Sequence, residues 1–234
     1  MKIALLGYGR MGKTIEKIAI ERGHEVVLKI DENIEDYDLS LADIAIDFSV
    51  PQAAFNNITT CFKHQLPVIC GTTGWLGNYD KAVEICKQEN SAFLYASNFS
   101  IGVNLFFGLN EKLAKMMNAF SNYSVEIEEI HHTQKLDAPS GTAISLAQQI
   151  IGNSSKKAWQ LNKAGENEIP IYARRIENVP GTHTVSYKSE IDSIEIKHTA
   201  HSREGFALGA IIAAEWLKDK KGVYNMKDVL SGLS

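Results

Sequence analysis

The sequence predicts an α/β protein: a Rossmann-like parallel-sheet domain followed by an α+β domain with a mixed sheet. Two observations carry this. From residue 2 to about residue 95, short apolar strand-like runs alternate with helical patterns, which implies parallel strands joined by right-handed crossovers. Beyond about residue 120 the pattern changes to clustered strand-like runs with fewer helices between them.

The first run, Lys2–Leu6, passes directly into Gly7-Tyr8-Gly9-Arg10-Met11-Gly12. A helical pattern follows with Ile15, Ile18 and Ala19 on one face and Gly23 as its stop, and His24–Ile30 is a second strand ending at Asp31. Glycines at this spacing can serve only to shape a strand–helix turn. Here the strand before, the helix after and the acidic residue about 20 positions on favour a dinucleotide site. Gly7 permits the tight turn, Gly9 lets backbone approach a pyrophosphate at the helix N-terminus, and Gly12 allows close packing of helix on strand. Asp31 then accepts hydrogen bonds from the adenosine ribose.

Asp43–Phe48 is the next strand, and Pro51 opens a helix running to about His64. Leu66–Cys70 is a strand ending in Gly71-Thr72-Thr73-Gly74, and a helix over Tyr79–Gln88 leads to a strand at Ala92–Tyr95. That strand ends in Ala96-Ser97-Asn98-Phe99-Ser100. Both polar loops have ordinary turn composition. Their place after consecutive parallel strands, where ligands of open α/β sheets bind, makes them candidates for the nicotinamide end of the cofactor.

A helix over Val103–Met117 precedes the second half, where Tyr123–Ile130, Ile169–Ile176, Thr182–Lys188 and Ser193–Thr199 read as strands. Between the first of these and a helix from Ser140 or Thr142 to about Ile151 lies His131-His132-Thr133-Gln134-Lys135-Leu136-Asp137-Ala138-Pro139-Ser140-Gly141-Thr142-Ala143. Two imidazoles, an ammonium and a helix N-terminus fall within a dozen residues. The N–H groups of Gly141 and Thr142, with the Thr142 hydroxyl, suit a carboxylate. His131, His132 and Lys135 suit a second anionic group or proton transfer, and a lysine among other cations has its pKa lowered. Spacing alone supports a second account equally: Asp137 or Ser140 caps the helix, Pro139 shapes its entry, and the histidines are exposed. A zinc site is disfavoured, because adjacent histidines on a strand point to opposite faces and no further ligand completes a set. His198-x-x-His201 likewise lacks a third ligand.

Composition excludes several classes. The 234 residues are 44% apolar and 22% charged, as in an ordinary globular protein. The net charge of −4 disfavours non-specific nucleic-acid binding. No stretch approaches the roughly 20 apolar residues that span a bilayer, so no membrane partner is expected. Cys61, Cys70 and Cys86 form no CxxC pair and read as free thiols of a reducing, cytoplasmic compartment.

The segment Glu129–Ala143 resembles the signature of 4-hydroxy-tetrahydrodipicolinate (dihydrodipicolinate) reductases. Gly9-Arg10-Met11-Gly12, Gly71-Thr72-Thr73-Gly74 and Ser97-Asn98-Phe99-Ser100 resemble the family's cofactor motifs. His198, Ser202-Arg203 and Phe206-Ala207 with Gly209-Ala210 resemble its closing segment. The resemblance implies reduction of (2S,4S)-4-hydroxy-2,3,4,5-tetrahydrodipicolinate to tetrahydrodipicolinate, with loss of water, in lysine/diaminopimelate biosynthesis. It implies His131 as catalytic histidine and Lys135 as proton donor. It places His132, Ser140, Gly141 and Thr142 on the small dicarboxylate substrate. The cofactor would lie along Gly7, Tyr8, Gly9, Arg10, Met11, Gly12, Asp31, Gly71, Thr72, Thr73, Ala96, Ser97, Asn98 and Phe99. It further implies a homotetramer assembled through the second domain, and a C-terminal helix that returns to the first. The domain boundaries are then 1–102 and 206–234 for dinucleotide binding, and 103–205 for substrate binding and oligomerisation. Two departures stand out: the glycine loop is one residue shorter than in longer members, and Thr133 replaces a basic residue that some members carry.

Asp31-Glu32-Asn33, with no arginine placed to welcome a 2′-phosphate, predicts NADH at least as good as NADPH; Arg10 and Lys29 are the residues that argue otherwise. In the tail, Arg203–Lys220 reads as a helix with a small-residue stripe, Gly205, Gly209 and Ala213, that packs closely on another element. Trp216 and Leu217 are core, Gly222 stops the helix, and Arg203 is a candidate to steady substrate or the domain junction. Two other functions fit part of the sequence. A small amino-acid or semialdehyde dehydrogenase would keep the cofactor loop and change the substrate, whereas the short-chain arrangement is excluded because no tyrosine is followed by lysine four positions later. A nicotinamide-binding redox sensor would need the cofactor loop but not His131, His132 and Lys135, and would carry a docking segment that the sequence lacks.

Overall fold

The computed structural model describes residues 1–202 and 204–232. The elements are β1 (Lys2–Leu6), α1 (Arg10–Glu21), β2 (Glu25–Ile30), β3 (Ile44–Asp47), α2 (Pro51–Lys63), β4 (Val68–Cys70), α3 (Tyr79–Gln88) and β5 (Ala92–Tyr95). There follow α4 (Ile101–Met117), β6 (Ser124–His131), α5 (Gly141–Gly152), β7 (Ala158–Leu161), β8 (Glu168–Arg175), β9 (Gly181–Lys188) and β10 (Ser193–Ala200). The chain closes with α6 (Glu204–Leu217), β11 (Gly222–Tyr224) and α7 (Met226–Ser231). These form two compact units, Met1–Ile101 with Glu204–Ser234, and Gly102–Arg203.

In the first unit six parallel strands run in the order β11-β5-β4-β3-β1-β2. Strand β1 shows why: all of Ile3–Leu6 is buried, with Ile3 and Leu5 in one apolar cluster and Ala4 and Leu6 in another. A strand covered on both faces has no polar side to show, hence its continuous apolar sequence. The small-residue stripe of α6 packs as its composition predicts. A Cβ on Gly209 would lie 1.8 Å from the Phe99 carbonyl oxygen, so only glycine lets the helix backbone approach the loop after β5.

The second unit holds a mixed sheet in the order β10-β9-β6-β8-β7. Strand β6 pairs antiparallel with β9 and parallel with β8. Its alternation buries Val125 and Ile127 against Leu146, Ala147 and Ile150 of α5, with Phe106 and Ala114 of α4 in the same core. Period-two burial therefore points Glu129 and His131, the next residues on that face, inward as well.

The structure adds elements that periodicity missed. Strands β7 and β11 have four and three residues, and three single-turn 3₁₀ segments occur at Ile34–Asp36, Leu39–Leu41 and Leu76–Asn78. Strands β7 and β11 are at most half-buried and carry no continuous apolar run like that of β5, and each 3₁₀ segment is a single turn. Helix α6 ends at Leu217, and Gly222, read as its stop, instead opens β11. Arg203 lies outside the described residues.

Candidate functional site

In the first unit the glycine turn folds as its spacing requires. Gly7 has φ +90, and a Cβ there would lie 2.3 Å from the Phe48 carbonyl oxygen; one on Gly12 would lie 2.4 Å from the Gly7 oxygen. A Cβ on Gly9 would meet nothing within 4 Å. Helix α1 begins at Arg10 with no side-chain cap, so its first-turn N–H groups have no side-chain acceptor at the cap. An unfilled cradle backed by uncapped donors fits a pyrophosphate. Met11 is partly buried against the core and Arg10 is exposed.

At the end of β2, Asp31 accepts a hydrogen bond from the Tyr8 backbone N–H. Tyr8 donates its hydroxyl to Glu16, whose other oxygen is 2.5 Å from Lys29 Nζ, and that ammonium sits 4.9 Å from the centre of the Tyr8 ring. Lys29, one of the two cations that argue for a 2′-phosphate, is thus held by a carboxylate and an aromatic face.

The loop after β4 is organised by a buried acid. Asp47 is fully buried and accepts hydrogen bonds from the Thr72 hydroxyl, from Asn57 at 2.9 Å and from Ser49 at 3.0 Å. Burial pushes its carboxyl up from the usual range, and these hydrogen bonds oppose the rise. The Thr72 hydroxyl faces inward and also accepts the Ser49 N–H at 2.8 Å, so in this loop Gly71, Thr73 and backbone are left to meet a ligand. In the loop after β5 the Phe99 ring is 1% exposed and packs 5.7 Å from that of Phe48, which makes it core rather than lining. Ser97 is exposed and Ala96 and Asn98 partly so; Asn98 accepts the Ser100 N–H at 2.9 Å.

In the second unit, His131 ends β6 and His132 follows it. His131 Nδ1 and His132 Nδ1 are buried and have no hydrogen-bond partner among the described residues. The His131 ring meets that of His183 edge-on at 5.0 Å. Burial lowers the His131 pKa, Lys135 and Arg175 add to the fall, and Glu129 and Asp137 oppose it. Burial, with the neighbouring cationic groups, drives His183 down to about 3, so it is neutral at physiological pH.

Lys135 Nζ lies 2.8 Å from both carboxylate oxygens of Asp137. It does not stand among cations alone, as the sequence suggested, and the hydrogen bond from Lys135 holds the Asp137 carboxyl below its ordinary value. Ser140 is the N-cap of α5: its Oγ accepts the Ala143 N–H at 3.2 Å and lies 3.0 Å from His183 Nε2, and its N–H is given to Glu129 at 3.0 Å. Ser140 is 3% exposed, so its polar groups are spent on the protein, while Gly141 and Thr142 present the open first-turn N–H groups. An open depression of about 500 Å³ is lined by His132, Thr133 and Gln134 together with Glu177–Pro180.

Sequence reasoning left Glu129, Arg175 and His183 without roles, and the sheet register brings all three to His131. Glu129 stands opposite His183 on β9, and His131 opposite Arg175 on β8. The signal available was alternation, which puts an acid on the buried face of β6. Glu129, His131 and His183 also offer ligand atoms within 4.8 Å of one another, a set that the reading of adjacent histidines did not anticipate. The carboxylate of that set is already engaged, by the Arg175 guanidinium on Oε1 and the Ser140 N–H on Oε2.

A six-stranded parallel sheet with a glycine cradle, joined in one chain to a unit bearing this histidine–lysine cluster, defines a nicotinamide-dependent oxidoreductase of the dehydrogenase type. Sequence profiles narrow the class. Residues 1–99 match dihydrodipicolinate reductase, N-terminus, and residues 102–230 match dihydrodipicolinate reductase, C-terminus. The 4-hydroxy-tetrahydrodipicolinate reductase of Christiangramia forsetii is 68% identical over 100% of this chain and 99% of its own length. That of Thermosipho africanus is 36% identical over 98% of each. The chain belongs to the dihydrodipicolinate reductase family. Among solved structures, dipicolinate-bound dihydrodipicolinate reductase from Paenisporosarcina sp. TG-14 shares the fold with TM-score 0.80, at 21% identity over 96% of this chain and 97% of that one. Aspartate dehydrogenase from Thermotoga maritima shares it more distantly, with TM-score 0.51 and 15% identity over 96% of this chain and 99% of that one.

Proposed function

We propose that the protein reduces (2S,4S)-4-hydroxy-2,3,4,5-tetrahydrodipicolinate to tetrahydrodipicolinate, with loss of water, in lysine/diaminopimelate biosynthesis. The observation that carries this reading is the cluster of His131, His132, Lys135 and the α5 N-terminus, cationic or donor groups suited to a small dianion. When bound, the reduced nicotinamide supplies the hydride that reaches C4 of the ring. Gly7–Gly12 and Asp31 hold the nucleotide, with Gly71, Thr73 and Ala96–Asn98 toward its nicotinamide end; Thr72 and Phe99 shape those loops from within. The Gly141 and Thr142 N–H groups and the Thr142 hydroxyl take one substrate carboxylate, on a turn that the Ser140 cap fixes. His132 takes the other side of the substrate. His131 and Lys135 handle the proton and the departing water, Lys135 as donor.

NADH serves at least as well as NADPH. Asp31 favours ribose hydroxyls and repels a phosphate, and Lys29 is tied to Glu16. A tenfold better kcat/KM with NADPH would overturn this preference. The protein is cytoplasmic, and no described helix is long and apolar enough to cross a membrane. It assembles as a homotetramer through its second unit, where Tyr172, Ile176, Ile191 and Ile194 are exposed; light scattering that returns a monomer would refute this.

The activity is tested by following loss of reduced-nicotinamide absorbance, with substrate made in situ from pyruvate and aspartate semialdehyde by the upstream synthase. Oxidation that requires both substrate and protein supports the reading. A folded, cofactor-binding protein that oxidises neither nucleotide would refute it.

A further inference from the structure

Glu129 is a fully buried carboxylate, and every polar contact it makes leads to the candidate site. Its Oε2 accepts the Ser140 N–H at 3.0 Å and lies 3.5 Å from His131 Nδ1 and 3.8 Å from His183 Nε2. Its Oε1 faces both terminal nitrogens of Arg175 at 3.3 Å. The same guanidinium donates to the Asp137 carbonyl at 2.6 Å, the Lys135 carbonyl at 3.3 Å and the Arg174 carbonyl at 2.9 Å. One planar fork thus ties the end of β8 to the loop that carries Lys135.

Such a pair is poorly explained by stability. Taking a carboxylate wholly out of water is expensive even beside a guanidinium that stays 21% exposed, and well-packed apolar residues in place of such a pair are often as stable. Apolar residues would not hold the loop carbonyls or face the His131 ring nitrogen. A planar guanidinium with five donors, which lysine lacks, is what lets one side chain serve a single carboxylate oxygen and three carbonyls together.

We propose that Glu129 and Arg175 are a positioning pair for the reductase, Glu129 orienting the His131 ring and the entry to α5, and Arg175 clamping the loop that carries Lys135. This rests on the assignment of proton handling to His131 and Lys135. The charged and titratable groups around His131 are Glu129 on its own strand, Arg175 on β8, His183 on β9, and Lys135 and Asp137 on the loop. Among these Glu129 is the buried carboxylate that favours the imidazolium, so its loss moves the His131 ionisation to lower pH.

The test compares Glu129→Gln, Arg175→Met and Arg175→Lys with the parent in steady-state kinetics across pH, NADH binding and thermal unfolding. In Glu129→Gln, kcat falls about a hundredfold, the cost of a small misplacement of catalytic groups. NADH binding stays at the parental value, and the pH limb of His131 shifts to lower pH. Arg175→Met loses comparable turnover, Arg175→Lys recovers part of it, and the Glu129→Gln/Arg175→Met double variant loses no more than the worse single one. Should Glu129→Gln fail to fold, the contrast between Arg175→Met and Arg175→Lys decides. Folded variants with parental kcat and pH limb overturn the positioning role alone, provided His131→Asn and Lys135→Ala are impaired. Parental turnover in His131→Asn and Lys135→Ala overturns the proton-handling assignment, and the positioning role with it.

Discussion

Lys29 Nζ lies 2.5 Å from Glu16 Oε1, and the pairing fixes an ammonium close to the acidic end of β2. Hydrogen bonding to Glu16 raises the Lys29 pKa, and hydrogen bonding from Lys29 lowers that of Glu16. The charge is therefore present but committed. Glu16→Gln should release it, raising the ratio of NADPH to NADH kcat/KM by about twofold to fivefold, the effect of one partly solvated charge. An unchanged ratio in the variant would remove Lys29 from cofactor choice.

Gly7 and Gly9 belong to one motif and should respond differently to alanine. At Gly7 a Cβ meets backbone at 2.3 Å in a left-handed conformation, so Gly7→Ala should cost about 3 kcal/mol or more of stability by urea unfolding. At Gly9 a Cβ meets nothing within 4 Å, so Gly9→Ala should fold normally and lose NADH affinity, read by quenching of nucleotide fluorescence. Equal affinity in Gly9→Ala would place the pyrophosphate elsewhere.

Lys135 is paired with Asp137 and has 21% of its side chain exposed, which leaves it accessible to a ligand. Lys135→Ala should lower kcat by about two to four powers of ten, the usual span of general acid catalysis. A near-parental rate would take Lys135 out of the mechanism.

His183 makes stability depend on pH. Its folded pKa of about 3 is below its ordinary value of 6.5, so between these the unfolded chain binds the extra proton. Its contribution is complete above about pH 6.5 and is lost as pH falls toward about 3, with a slope of up to about 1.4 kcal/mol per pH unit. Urea unfolding at a series of pH values should show this fall, and His183→Asn should flatten it. A parental slope in the variant would assign the effect to other groups.

The buried thiols should be inert. Burial raises the pKa of Cys61 and Cys70, and that of Cys86 to about 11. Native protein should therefore react with a thiol reagent at the rate of unfolding rather than at a free-thiol rate; prompt labelling of any of the three would contradict this.

Much of the fold was legible because its signals are local. The Tyr79–Gln88 helix and the Ala92–Tyr95 strand match the structure residue for residue, the first because it repeats a helical period and the second because it is an apolar run that ends on turn residues. The short strands β7 and β11 offered no such repeat and depend on neighbours for their pairing. At the site, the glycine turn and the run from His131 to Thr142 could be read from spacing. The inward turn of Thr72, the burial of Phe99 and the engagement of Ser140 could not, because a residue's type states which bonds it can make and not which face of a loop it occupies.

The order of the longer strands and helices, the glycine cradle, and the segment in which chemistry-bearing residues cluster follow from the chain alone, because dihedral freedom, hydrophobic period and helix termini are properties of consecutive residues. The folded arrangement is what gathers Glu129, Arg175 and His183 around His131, sets Lys135 against Asp137, and binds Lys29 to Glu16. Arg175 stands 44 positions after His131 and His183 stands 54 after Glu129, and strand register alone makes them neighbours. Charges so distant in sequence acquire a common environment only when the sheet closes around them, and burial there lowers the pKa of His131 and His183.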